Sequence, residues 1–138
     1  PAFPKAKLHM VMEEHIEHPA VFCHSNVSDQ DLLDLYSQSW VFCLPSTYEG
    51  FGIPYAESLS AGTAVVATHN SGAEEVLANG DYGKIVSEDK LGEEIFELLS
   101  NDEMRNDFVI RGKLRGKDFS MKKYIDSFER RYMEITKS

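Results

Sequence analysis

Trp40-Val41-Phe42-Cys43-Leu44 runs straight into Pro45-Ser46-Thr47-Tyr48-Glu49-Gly50-Phe51-Gly52-Ile53-Pro54-Tyr55-Ala56-Glu57, and the chain turns apolar again at Ala64-Val65-Val66-Ala67-Thr68. The first and last runs are short, rich in Val and aromatic residues, and apolar throughout, as strands buried between two helical layers must be. Between them Gly50 and Gly52 allow backbone dihedrals closed to other residues, and Pro54 fits a first helical turn, where a missing N–H costs nothing. Strand, glycine loop, helix and strand in that order make a βαβ unit, which predicts parallel pairing.

The same alternation extends in both directions. Leu8–Met12, Ala20–His24 and Lys84–Val86 read as further strands. Ser28 precedes Asp31 in a capping-box arrangement, and Leu32, Leu35, Tyr36 and Ser39 follow on one helical face. Ser71 and Glu74 predict a second capped helix, a short one ending at Leu77. Beyond the last strand the pattern is helical: Leu91, Ile95 and Leu98 form one stripe, and Met104 and Phe108 begin a second. Ser120 is placed to cap a third helix whose apolar side carries Tyr124, Ile125, Phe128, Tyr132 and Ile135. The expected architecture is one α/β domain over residues 1–138, a Rossmann-like parallel sheet sandwiched by helices with a helical C-terminal tail.

Composition narrows the function classes. The 138 residues carry a formal net charge of −9, and the 14 basic residues form no stripe until the last helices. Such a chain is poorly suited to phosphate backbones or anionic lipid, so nucleic acid is not an expected partner. No apolar run is long enough to span a bilayer and no signal peptide opens the chain, which leads us to expect a cytoplasmic domain. Cys23 and Cys43 each lie in a strand-like run and are expected to be reduced and buried. Glu13, Glu14, His15, Glu17 and His18 are read as a solvated loop rather than a metal site, because Pro19 follows and nothing there predicts a helix. Trp40 is expected in the core or in an interdomain contact.

The loop after the central strand carries the chemistry. Ligands of open parallel sheets bind beyond the carboxyl ends of the strands, where Glu49–Glu57 lies. The N–H groups of Phe51, Gly52 and Ile53 at a helix start, with the helix dipole behind them, suit a phosphate. Glu49 and Glu57 bracket that site, and a carboxylate beside an anion site is suited to neutral, hydroxyl-rich groups. One phosphate site with two hydroxyl-binding acids describes a nucleotide sugar, with hexose at one end and ribose at the other.

Glu49-Gly50-Phe51-Gly52-Ile53-Pro54-Tyr55-Ala56-Glu57 resembles the E-x7-E motif of family-four retaining glycosyltransferases, which have the two-domain GT-B fold. Asn26-Val27-Ser28-Asp29 through Leu35-Tyr36, Ser60–Ala67 and Gly72-Ala73-Glu74-Glu75-Val76 are similar to further segments of that family, so the likeness runs from about residue 20 to residue 135. The resemblance implies that this chain is the C-terminal, nucleotide-sugar-binding half of such an enzyme. It further implies that Glu49 is the catalytic-site acid that holds the donor sugar against the diphosphate. Gly50, Phe51, Gly52 and Ile53 would bind the distal phosphate and sugar, Glu57 the ribose, and Val27 would lie near the nucleobase. Transfer would retain anomeric configuration without an obligatory metal or other cofactor. The acceptor would be a sugar or a lipid-linked sugar of polysaccharide assembly, in the cytoplasm or at the membrane periphery.

The chain starts abruptly, with Pro1–Lys7 leading at once into a strand, and the family's basic Arg–Lys pair belongs to a segment before that point. With the acceptor-binding N-terminal domain also missing, the expectation is a domain truncated at its N-terminal edge that binds donor but does not turn it over. Glu13-Glu14-His15 stands where the family has a glycine turn, and Ser71 where it has a first glycine. A GT-B nucleotide-sugar epimerase and a noncatalytic Rossmann-like interaction module are the alternatives, since the fold alone does not fix function.

Overall fold

The computed structural model describes residues 3–120. In chain order the elements are β1 (Leu8–Val11), β2 (Val21–His24), α1 (Asp29–Gln38), β3 (Val41–Leu44), α2 (Ile53–Ala61), β4 (Ala64–Thr68), α3 (Ser71–Val76), β5 (Lys84–Val86), α4 (Leu91–Ser100) and α5 (Asp102–Gly116). All five expected strands form, each within a residue of its predicted start. All pairing is parallel, with Val41 opposite Ala64 and Val66 opposite Lys84. The Rossmann-like α/β class expected from the sequence is the class observed.

The strands divide into two sheets, β1–β2 and β3–β4–β5, in place of the single sheet expected. Only part of the both-faces-apolar expectation holds. All five residues of β4 are buried, because α2, α4 and α5 pack against it. In β1 and β2 each strand carries a histidine, and Leu8, Val11 and Phe22 stay substantially exposed. Cys23 and Cys43 are free thiols, half-buried rather than buried. The acidic and histidine-rich stretch 13–18 is an exposed connection between β1 and β2.

Local chemistry explains the helix boundaries. At α1 the Ser28 side chain accepts from the Asp31 N–H at 3.1 Å while Asp31 accepts from the Ser28 N–H at 3.1 Å, completing the predicted capping box. Leu32, Leu35, Tyr36 and Ser39 form the covered face, with Tyr36 buried. The α3 cap is Asn70 and not Ser71: Asn70 has extended dihedrals and its Oδ1 accepts from the Ala73 N–H at 2.8 Å. Asparagine caps as well as serine does, and its longer side chain keeps a second group for other partners. Asn101 caps α5 in the same way.

Helix α2 is held tightly against the core. It buries Tyr55, Ser58 and Leu59, and each large apolar side chain removed from water contributes about 1.5–3 kcal/mol. Its other flank meets α5 at small residues: a Cβ on Gly112 would lie 2.8 Å from Leu59, and one on Gly116 2.5 Å from Ser60 Oγ. Of the two places expected for Trp40, the core of this domain is not the one observed. Trp40 is 58 % exposed and lies just before β3, with the Arg105 guanidinium 4.2 Å from its ring centre. Arg105 is held there by the carbonyl of Leu98 at the end of α4. The third helix expected after Ser120 lies outside the described residues. Among the described residues no helix is long and apolar enough to cross a membrane.

Candidate functional site

The site grows from the carboxyl ends of β3 and β4, which are hydrogen-bonded neighbours. Beyond β3 the chain passes through Pro45–Gly52 and enters α2, and beyond β4 it passes through His69 and Asn70 into α3. Both segments therefore emerge side by side, which places them at the crevice where such folds take ligands.

Two sets of contacts lock the segments together. Thr68 Oγ1 donates to the Ser46 carbonyl at 2.6 Å, and Asn70 Nδ2 lies 3.0 Å from the same oxygen. Asn70 Nδ2 also reaches the Tyr55 hydroxyl at 2.9 Å and the Thr68 carbonyl at 3.1 Å. One buried carboxamide thus ties the β3 loop, the first turn of α2 and the start of α3 to one another. The second lock is backbone against backbone. The Gly72 N–H donates to the Glu49 carbonyl at 2.7 Å. A Cβ on Gly72 would lie 2.6 Å from that oxygen and 2.7 Å from the Gly52 nitrogen, and a Cβ on Gly52 would lie 2.8 Å from the Gly72 carbonyl. Gly52 also has φ of +71°, a left-handed conformation that glycine adopts without penalty. The two glycines are required here for close approach and for chain reversal.

This fixes the positions of the sequence-predicted residues. Glu49 is half-buried, its carbonyl held by Gly72 and, at 3.3 Å, by the Ser71 hydroxyl. Gly50 and Phe51 are exposed on the loop, and the buried Gly52 is the helix N-cap, where no side chain caps the end. Ile53 is exposed in the first turn, with Pro54 beside it at the N-terminal position expected. Glu57 stands four residues after Ile53, one turn further along the same exposed face. The loop with Glu49 therefore lies at the N-terminus of α2, where the macrodipole favours negative charge, and Glu57 lies beyond the first turn of the same helix.

Glu57 faces α1. Partial burial, and then the charge of Asp29 at the start of α1, raise its carboxyl above the ordinary value. The Tyr36 hydroxyl is pushed up to about 12, mainly by burial and secondly by Glu57. Burial also raises Tyr55, against the opposing hydrogen bond from Asn70, and Glu49 adds to that rise. The Cys43 thiol is raised by burial.

Val27 is not on the α2 loop. It follows β2, after Asn26 with φ of +51°, and it lines an open cleft of about 510 Å³ between the β2 end and α1. The structure brings Glu49, Gly50, Phe51, Gly52, Ile53 and Glu57 together, and α1 links that group to the Val27 cleft through the Asp29–Glu57 neighbourhood. Asn70, Thr68 and Gly72 are the residues that sequence reasoning passed over as parts of the site. An asparagine two residues after a buried strand and just before Ser-Gly is a recognisable cap signal, but its bonds to Ser46 and Tyr55 have no local signature.

Comparison with known proteins follows the same outline. Residues 5–115 match the family described as glycosyl transferases group 1. The chain is 36 % identical over 97 residues to O-antigen chain mannosyltransferase B of Escherichia coli, covering 68 % of this chain and 25 % of that protein. It is 31 % identical over 96 residues to an uncharacterized glycosyltransferase of Methanocaldococcus jannaschii, covering 67 % and 27 %. It is 37 % identical over 79 residues to a phosphatidyl-myo-inositol mannosyltransferase of Mycolicibacterium smegmatis, covering 54 % and 20 %. The chain thus spans about a quarter of the length of these curated relatives. A family match across the crevice, both of its loops and the sheet beneath them is decisive: the chain belongs to the group 1 glycosyl transferases.

Proposed function

We propose that this chain is the donor-binding half of a retaining glycosyltransferase that takes its sugar, a mannosyl group in the first instance, from a nucleotide sugar. The observation that carries the reading is the loop between β3 and α2, where Glu49 and Glu57 flank a glycine-shaped helix start clamped by Gly72. The mannosyltransferase names of two relatives support the choice of sugar.

In this reading the diphosphate lies at the N-terminus of α2 against the backbone of Gly50, Phe51, Gly52 and Ile53, where the helix dipole stabilises the charge that grows on the leaving group. Glu49 accepts hydrogen bonds from hydroxyls of the donor sugar and fixes the anomeric carbon relative to the diphosphate. Glu57 accepts from the ribose hydroxyls, and Val27 borders the base. The acceptor hydroxyl attacks the anomeric carbon on the face from which the diphosphate departs, so configuration is retained. Acceptor binding and the cations that neutralise the diphosphate belong to the remaining three-quarters of a protein the size of the relatives. The 138 residues alone therefore bind donor without turning it over.

Ligand-detected NMR with UDP, GDP, ADP and their sugar conjugates tests this on the wild-type chain and on Glu57→Ala. The expected result is saturation transfer to at least one nucleotide, weakened roughly tenfold or more in the variant, since a hydrogen bond to a charged group contributes about 1.5–3 kcal/mol. No nucleotide binding by this chain or by a longer form that includes the preceding domain would overturn the proposal.

A further inference from the structure

Strands β1 and β2 each carry one histidine on the same face of their sheet. The parallel register sets His9 opposite Phe22 and Val11 opposite His24, and residues two apart on a strand share a face, so His9, Phe22 and His24 lie together. The His9 ring stacks on both neighbours, with centres 5.2 Å apart and planes 16° apart for Phe22, and 5.2 Å and 15° for His24. His9 Nδ1 and His24 Nε2 face each other at 2.9 Å. Of the five histidines, these two are the pair in ring-to-ring contact. His9 is exposed and His24 half-buried, which leaves the pair open to ions from solvent.

At 2.9 Å one imidazole N–H donates to the lone pair of the other ring. Moving that proton to the remote nitrogen of its own ring leaves both imidazoles neutral and gives both facing nitrogens a lone pair. Metal–imidazole bonds of about 2.0–2.1 Å put two ligand nitrogens about 2.9 Å apart at a right angle and about 3.3 Å apart in a tetrahedron. The observed separation is that of the right angle, the cis arrangement of tetragonal copper(II) and nickel(II), and small turns of the rings aim both lone pairs at one point. Magnesium and calcium take oxygen ligands and are not candidates. Among the described residues no group of three His, Cys, Asp or Glu is placed to hold a metal, so water fills the other coordination positions. The Lys7 ammonium lies over the Phe22 ring, 5.5 Å from its centre, and its repulsion of a metal ion is screened because the site is open to water.

We propose that His9 and His24 form a two-histidine site for a late first-row divalent metal ion, which clamps β1 to β2. The site belongs to a different sheet from the β3–β4–β5 crevice and is independent of the donor reading. Its place suits a clamp. Each of the two strands is four residues long, and a two-stranded sheet is marginal by itself. An ion that bridges them binds the folded chain and not the unfolded one, in which residues fifteen apart are no longer held together, so it stabilises the fold by mass action. The row of three stacked rings fixes both ligands beforehand, which lowers the entropy lost on binding.

Nickel(II) is the probe, titrated into the untagged 15N-labelled chain by calorimetry and NMR. The proteins are wild type, His9→Phe, His24→Phe and a variant carrying both His15→Ala and His18→Ala. Phenylalanine keeps a ring for the stack while removing the ligand nitrogen, and circular dichroism of each variant confirms that it is folded. Wild type should bind a single equivalent, with paramagnetic broadening centred on the amides of His9, Phe22 and His24, and saturating nickel should raise Tm by several degrees. Either phenylalanine variant should weaken nickel roughly tenfold or more, because the second imidazole no longer binds intramolecularly, and should abolish the rise in Tm. The His15 and His18 variant should behave as wild type, and magnesium should shift none of these amides. Nickel affinity unchanged in both phenylalanine variants would overturn the site. Broadening centred on residues 13–18 or on His69, or affinity lost in the His15 and His18 variant, would overturn it equally. Binding with no rise in Tm would overturn the clamp.

Discussion

The backbone crossing of Gly52 and Gly72 invites a paired test, because Gly72→Ala and Gly92→Ala make the same chemical change in two helices. Helix propensity alone favours alanine over glycine by about 1 kcal/mol in either place. At Gly92, in α4, a Cβ would meet nothing within 4 Å, so Gly92→Ala should stabilise the fold by up to about 1 kcal/mol. At Gly72 the new Cβ meets the Glu49 carbonyl oxygen at 2.6 Å, the Gly52 nitrogen at 2.7 Å and the Gly52 Cα at 3.0 Å. All three are backbone atoms, so no side chain can rotate away. Overpacking of this kind costs about 1–3 kcal/mol. Separating the segments also strains or breaks the Gly72–Glu49 hydrogen bond, which adds about 1 kcal/mol. Set against the propensity gain, the net destabilisation is roughly 1–3 kcal/mol. In urea, followed by circular dichroism, a slope of about 2 kcal/mol per molar would lower the Gly72→Ala midpoint by about 0.5–1.5 M. Gly92→Ala should move its midpoint the other way. A Gly72→Ala midpoint at or above that of wild type would refute the tight crossing. Because the displaced oxygen belongs to Glu49, the same variant should also weaken nucleotide binding under conditions where it remains folded.

Two further predictions concern single side chains of the crevice. Asn70→Asp keeps the α3 cap but replaces a donor with an acceptor facing the carbonyls of Ser46 and Thr68, so it should cost about 2–4 kcal/mol at neutral pH. That loss should shrink as acid protonates the new carboxyl, and thermal unfolding across pH checks it; equal stability of Asn70→Asp and wild type at pH 7 would show that the hub is not holding the loops. The raised carboxyl of Glu57 means that the folded chain holds this proton more tightly than the unfolded chain does. Its effect on stability is therefore absent in acid and grows unfavourable as pH rises from the ordinary carboxylate value through the raised one. Glu57→Gln should be more stable than wild type at pH 7 and indistinguishable from it near pH 3, while binding nucleotide less well; no difference at either pH would remove the basis for the strained acid.

The strands, the helices and the position of the candidate loop were legible in the sequence because they are written locally. Alternating apolar runs and amphipathic segments specify strands and helices through hydrogen bonding and burial that each segment largely dictates for itself, and every strand expected was found. The capping box of Ser28 and Asp31 and the position of Pro54 are equally local, being set by orphan N–H groups within one turn. The Glu49–Glu57 loop belonged at a strand's carboxyl end on the same reasoning. Tertiary structure decided what depends on partners distant in the chain. The cap of α3 passed from Ser71 to Asn70 because Asn70 alone can bond at once to Ala73, Tyr55 and Ser46. Trp40 lies outside the core, and the arginine stacked on its ring comes from α5, distant in the chain. The division of the strands into two sheets, with the packed helices gathered over β4 and β1 paired with β2, is likewise set by partners that no single segment specifies. A glycine's tolerance of close approach is invisible until the second backbone arrives, so the meeting of Gly52 with Gly72, twenty residues apart, could be seen only in the folded chain.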